Sequence, residues 1–136
     1  MNTYLIFNGN CRQAMEFYKQ CLGGVLYLST YGEMPGGEVS KRHKDWIIHA
    51  RLTIKTQVLM ASDCHSGTPA VKQGNNFFVS INCENVAESK KLFKALSQKG
   101  TVEMPLQETF WAVRFGMLTD QFGIKWMLNF EKTEGK

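Results

Sequence analysis

Apolar and polar positions along the chain fall into short runs whose order repeats once. Tyr4-Leu5-Ile6-Phe7 is apolar and β-prone, and it stops at Asn8-Gly9-Asn10, a turn signal whose last residue is suited to cap a helix. Met15, Tyr18, Cys21 and Leu22, with Ala14 and Phe17 beside them, then recur at three- and four-residue spacing until Gly23-Gly24. That period predicts an amphipathic helix with a glycine stop. Val25 to Tyr31 resumes as a strand. From Trp46 to Ile54 the alternation is regular, with Ile48, Ala50, Leu52 and Ile54 on one side and His49, Arg51 and Thr53 on the other. Lys55-Thr56 turns the chain into a further strand, Gln57 to Ala61.

The same order begins again after the link from Ser62 to Asn75. Asn76 to Ile81 reads as a strand, Asn85 to Gln98 as a helix ended by Gly100, and Val102 to Leu106, Trp111 to Thr119 and Ile124 to Phe130 as three more strands. Each half is thus strand, helix, three strands. The expected fold class is α+β, with two β-α-β-β-β modules, about residues 1–63 and 76–131, forming a cupped mixed sheet within one domain spanning 1–136. A ferredoxin-like dimeric barrel is the alternative, and it requires two split β-α-β units instead.

Composition narrows the function classes. The 136 residues, 43% hydrophobic and 21% charged, are enough for a core without disulfide or zinc staples. The net charge of +4 is scattered apart from the run Lys41, Arg42, His43, Lys44, which reads as a solvated loop tip within the Gly- and Pro-containing segment 32–45. No concentrated basic face with reading elements accompanies it, so nucleic acid is not expected as a partner. Cys11, Cys21, Cys64 and Cys83 lack metal-binding spacing and read as free thiols. No apolar run approaches a membrane span and no leader is evident, so a cytoplasmic protein without a membrane partner is expected.

Specific stretches carry a family resemblance. Ile6-Phe7-Asn8-Gly9-Asn10 leading into Ala14-Met15-Glu16-Phe17-Tyr18 and Leu22-Gly23-Gly24 resembles the first strand and helix of the vicinal oxygen chelate superfamily, which holds glyoxalases, bleomycin-resistance proteins and dioxygenases. His49-Ala50-Arg51-Leu52 with Leu59-Met60-Ala61-Ser62-Asp63 is similar to its PhnB-like branch. So are Gln107-Glu108-Thr109-Phe110-Trp111 and Asp120-Gln121-Phe122-Gly123-Ile124-Lys125-Trp126. The resemblance spans nearly the whole chain. It implies a glyoxalase/bleomycin resistance-like fold and, because members commonly complete their cups by pairing, a homodimer of bacterial type. It does not fix an activity, since one scaffold carries many functions.

Enzymes of that superfamily usually hold a divalent metal with His, Glu or Gln from corresponding strands of the two halves. Matching landmarks places Thr3, then Arg51 or His49, then Phe78, then Met127 at those positions, so no metal and no cofactor is expected. The binding residues expected instead are Phe7, His49, Arg51, Phe78, Trp111 and Met127, with Ser80 and Asn129 on the same faces. Each also has a packing explanation: Phe7, Phe78 and Met127 as core, Arg51 as a cross-sheet ion pair, Trp111 as an anchor. The mixture suits a small organic molecule with an apolar body and an acceptor or anionic end for Arg51. The alternative is a glyoxalase-like or dioxygenase-like enzyme, with an unrecognised metal site built by Glu108, His43 or His65, or with His49 as acid or base assisted by Arg51 or Glu108. No glycine-rich turn of the kind that cradles S-adenosylmethionine is present, and whether the chain is an enzyme stays open at this point.

Overall fold

A computed structural model describes residues 1–33, 43–64 and 69–132. The chain divides into two compact units, Met1–Lys72 and Gln73–Lys136. Each contains one helix and one mixed four-stranded sheet. Three successive strands follow each helix, as a β-α-β-β-β unit requires and a split β-α-β unit does not.

In the first unit, β1 (Thr3–Phe7), β2 (Val25–Thr30), β3 (Ile47–Ile54) and β4 (Gln57–Asp63) lie in the order β1-β4-β3-β2. β1 runs parallel to β4 and the other pairs are antiparallel. Helix α1 (Cys11–Leu22) buries Cys11, Ala14, Met15, Tyr18 and Cys21, the three- and four-residue period read from the sequence. It packs chiefly on β3, whose Ala50 and Leu52 are buried. Gly23 closes the helix by donating its N–H to Lys19 O at 2.7 Å.

The start of α1 departs from local capping. Asn10 makes no side-chain cap bond. The buried carboxylate of Asp63, at the end of β4, accepts instead from the N–H groups of Gly9 at 2.8 Å, Cys11 at 2.9 Å and Ile47 at 2.8 Å. One side chain thereby ties β4 to the β1–α1 turn and to the start of β3. Gly9 has φ +96, and a Cβ there would come within 2.7 Å of the Trp46 ring, so the turn needs glycine twice over.

In the second unit, β5 (Val79–Asn82), β6 (Thr101–Gln107), β7 (Ala112–Thr119) and β8 (Lys125–Glu131) repeat the order as β5-β8-β7-β6, again with the first pair parallel. Helix α2 (Val86–Leu96) sits over β7 and β8. Leu96, Leu118, Trp126 and Leu128 are fully buried there, and each large apolar side chain so removed from water contributes roughly 1.5–3 kcal/mol. Gly116 makes the close approach possible: a Cβ on it would lie 2.7 Å from the Phe93 ring. The β7–β8 turn is held by buried Asp120, which accepts from Phe122 N–H at 2.7 Å, Ile124 N–H at 3.1 Å and Trp126 Nε1–H at 2.8 Å.

Several expected boundaries shift by one to three residues, and β4 runs on past Ala61 to Asp63. The strand expected from Asn76 begins only at Val79, the first residue that pairs with β8, opposite Trp126. The helix expected to reach Gln98 ends at Leu96, and residues 97–100 form a turn in which Lys99 takes φ 58. The segment 34–42, with Lys41 and Arg42 of the basic run, and His65 lie outside the described residues.

Candidate functional site

Strand register determines which side chains share a surface. In the first unit Tyr4 pairs with Met60, Met60 with Arg51, and Arg51 with Tyr27. Paired residues point to one side of a sheet, so these four form a row across it. Their neighbours Ala50, Leu52, Leu59 and Ala61 are buried on the helix side, so the row lies on the opposite, open face. His49, two residues before Arg51, joins that face. The Tyr4 hydroxyl lies 3.3 Å from His49 Nδ1, and the rings are 5.9 Å apart.

Arg51 is exposed and has no ion-pair partner among the described residues. The cross-sheet acid that would have made it structural is thus not there among them. Its neighbour Tyr27 is 60% exposed, which gives a cation flanked by aromatic and thioether surface. Such a surface binds anions through the guanidinium fork and apolar groups through the flanks.

Phe7 does not belong to this face. It pairs with Asp63, has the parity of Leu5 and Ala61, and is only 4% exposed, so it packs on the helix side. The expectation that grouped it with His49 and Arg51 fails on register, since alternation within one strand does not say which side of its neighbour it matches.

In the second unit, Ser80 pairs with Met127, Met127 with Met117, and Asn82 with Asn129, which pairs in turn with Phe115. These lie opposite the helix-side residues Trp126, Leu128 and Leu118. Phe78 precedes β5, and the Lys125 ammonium stands 5.2 Å from its ring centroid. Lys125 also pairs with Glu103, whose carboxyl is held below its usual range by that ammonium and by the Thr119 hydroxyl. Trp111, at the mouth of β7, meets Phe115 at 5.2 Å and Phe110 at 4.9 Å. Phe78, Trp111 and Met127 are therefore on or beside the open face of their own unit, as Arg51 and His49 are on theirs.

The row partners Tyr4, Tyr27 and Met60, and the rings Phe110 and Phe115, were not singled out from the sequence. Alternation marks such residues as one side or the other, but their neighbours across the sheet depend on register. The acid Glu108 is engaged by Lys132 at 3.2 Å. His43 stands edge-on to Trp46 with centroids 4.4 Å apart.

Two buried thiols sit beside the helix N-termini. Cys11 is pushed up to about 12 by burial and then by the Asp63 charge, and Cys83 to about 11 by burial and then by Glu88. Both are therefore protonated and poor nucleophiles at neutral pH.

The superfamily's metal positions fail a test of donor chemistry. Thr3 and Phe78 supply no imidazole or carboxylate, Met127 offers a thioether, and the second position reads either Arg51, a cation without a lone pair to donate, or His49, which would be the one imidazole of the set. Among the described residues no three His, Cys, Asp or Glu side chains gather as a metal would need.

The family model for the glyoxalase/bleomycin resistance protein/dioxygenase superfamily matches residues 1–128. The chain belongs to this superfamily. A curated relative, the protein YjdN of Escherichia coli, is 35% identical over 98% of this chain and 97% of its own. Among solved structures, protein PA1353 of Pseudomonas aeruginosa is 46% identical, with a TM-score of 0.89 over 98% of both chains. The PhnB protein of Bacillus cereus, described as a putative 3-demethylubiquinone-9 3-methyltransferase, is 27% identical with a TM-score of 0.73, over 96% of this chain and 98% of that one. The PhnB-like resemblance in the sequence is thus met by a PhnB structure aligned along nearly the whole length. No described helix of this superfamily member is long and apolar enough to cross a membrane.

Proposed function

We propose that this chain is a PhnB-like vicinal oxygen chelate protein of the cytoplasm that binds a small organic molecule without a metal. The observation that carries the reading is the row Tyr27, Arg51, Met60 and Tyr4, which presents a guanidinium, unpaired among the described residues, between apolar flanks on a sheet face that no helix of its unit covers. A ligand with an aromatic or aliphatic body and an anionic end fits that chemistry. Indole-3-propionate is a suitable probe. Arg51→Ala is expected to weaken it at least tenfold by calorimetry, and an unchanged affinity would refute the assignment. Elemental analysis of dialysed protein is expected to find no stoichiometric divalent metal.

The same reading includes a homodimer. Tyr4 and Ile6, both more than two-fifths exposed, lie on β1 at the edge of its sheet, where apolar exposure favours a covering chain. Light scattering is expected to give twice the chain mass at micromolar concentration. The Tyr4–His49 contact favours one second reading, acid-base catalysis by His49. Turnover of any bound compound that His49→Ala abolishes while binding persists would establish it.

A further inference from the structure

The second unit holds a polar group with one side left over. Asn129 is 9% exposed, and its Oδ1 has no hydrogen-bond partner among the described residues. Its Nδ2–H donates to Glu131 Oε1 at 3.3 Å, so the amide's donor side is engaged and its acceptor side is not. A buried carbonyl oxygen without a donor is costly, and native structures seldom keep one without a reason.

What surrounds it points to a ligand class. Asn129 is paired with Phe115 across the sheet, and the Phe115 ring touches Trp111, which is 43% exposed and touches Phe110. Glu131, two residues along β8, shares the face of Asn129 and is exposed. The nearby cation Lys132 is engaged by Glu108. The end of this sheet therefore offers an amide acceptor, a carboxylate and electron-rich ring faces. Aromatic faces and carboxylates favour cations, and an unpaired acceptor favours an N–H.

We propose that this end of the second unit's sheet is a subsite for an organic amine, with an ammonium N–H on Asn129 Oδ1, the charge beside Glu131 and the body against Trp111 and Phe115. It deepens the small-molecule reading above and rests on it, and its chemistry is opposite in sign to that of Arg51. Phe110 and Trp111 lie outside regular strand, between β6 and β7, and both rings are exposed.

Full-length protein titrated separately with tryptamine, indole-3-propionate and 3-methylindole, and followed by calorimetry and by NMR of the Trp111 indole and Asn129 amide, tests it. Tryptamine is expected to bind at least tenfold tighter than 3-methylindole and to shift both signals. Asn129→Leu is expected to remove that tenfold preference while leaving the thermal midpoint equal or higher, since an apolar side chain deletes the unpaired acceptor. Tryptamine and 3-methylindole binding alike, or an Asn129→Leu variant that keeps the preference, would overturn the subsite. So would a crystal structure with an ordered water bonded to Oδ1 that tryptamine does not displace. Indole-3-propionate binding through Arg51 with no amine preference would leave the first reading standing and sink this one alone. No binding of any of the three at millimolar concentration would sink both.

Discussion

The two helix N-termini solve one problem by different means. Each leaves N–H groups without intrahelical acceptors. At α2 the solution is local: Asn85 accepts from Glu88 N–H at 2.7 Å, and Glu88 reaches back to accept from Glu84 N–H at 2.8 Å. At α1 the acceptor is Asp63, 52 residues from Cys11 in the chain, while the adjacent Asn10 contributes no side-chain bond. The last helix-side pair of the β1–β4 ladder is Phe7 with Asp63, whereas that of the β5–β8 ladder is Ile81 with Leu128 and carries no carboxylate. A local cap stabilises one helix. A remote carboxylate makes the helix, the turn and two strands interdependent.

The largest effect is accordingly expected at Asp63. Asp63→Ala removes a buried acceptor shared by three backbone donors and should cost about 4 kcal/mol, read as a fall in the urea midpoint. Asp63→Asn keeps the shape but loses charge and half the acceptor capacity, so it should fall between. If Asp63→Ala cost no more than a surface cap, the two helix N-termini would be energetically alike despite their geometry.

Asp120 offers the nearest counterpart in the second unit. It bonds within six residues of itself, yet one of its donors is the buried indole of Trp126. Asp120→Ala should cost about 3 kcal/mol, chiefly by stranding that N–H, and should alter the Trp126 fluorescence before global unfolding. Asn85→Ala should cost only about 1 kcal/mol, the ordinary value of an N-cap, with helix content of the folded state unchanged by circular dichroism.

The local solution was legible in the sequence and the remote one was not. Asn85 before an amphipathic run marks the start of α2 because the signal and its partner lie within one turn. Asn10 gives the same signal for α1, and the helix does start there, but another residue does the bonding. The roles of Asp63 and Asp120 depend on which strands become neighbours. The site shows the same limit: alternation put His49 and Arg51 together correctly, whereas Phe7 needed the register with β4. Phe78 was expected inside a strand, and it falls just outside, one residue before the β5–β8 pairing begins at Val79 with Trp126. Asn129 could be placed on a face from its spacing, but that its oxygen lacks a donor among the described residues is a fact of three dimensions.

The smallest effect concerns the thiols beside the starts of α1 and α2, and it changes with pH only above about 9. Helix N-termini ordinarily favour the thiolate, yet here burial comes first and a carboxylate used in capping adds to it, so both thiols are raised. The unfolded chain releases these protons near the usual value of 9, while folded Cys11 holds its proton to about 12 and Cys83 to about 11. Both contributions are therefore complete below pH 9 and are lost as pH rises, through about 11 for Cys83 and about 12 for Cys11. The stability gap between the parent and Cys11→Ala should be constant from about pH 7 to 8.5 and narrow above about pH 9 in urea titrations. The Cys83→Ala gap should stop narrowing sooner, near pH 11. Neutralising the carboxylates separates the causes: Glu88→Gln should move the Cys83 transition only slightly, because burial is its larger cause and survives the change. A large downward move would mean that charge, not burial, holds the Cys83 proton.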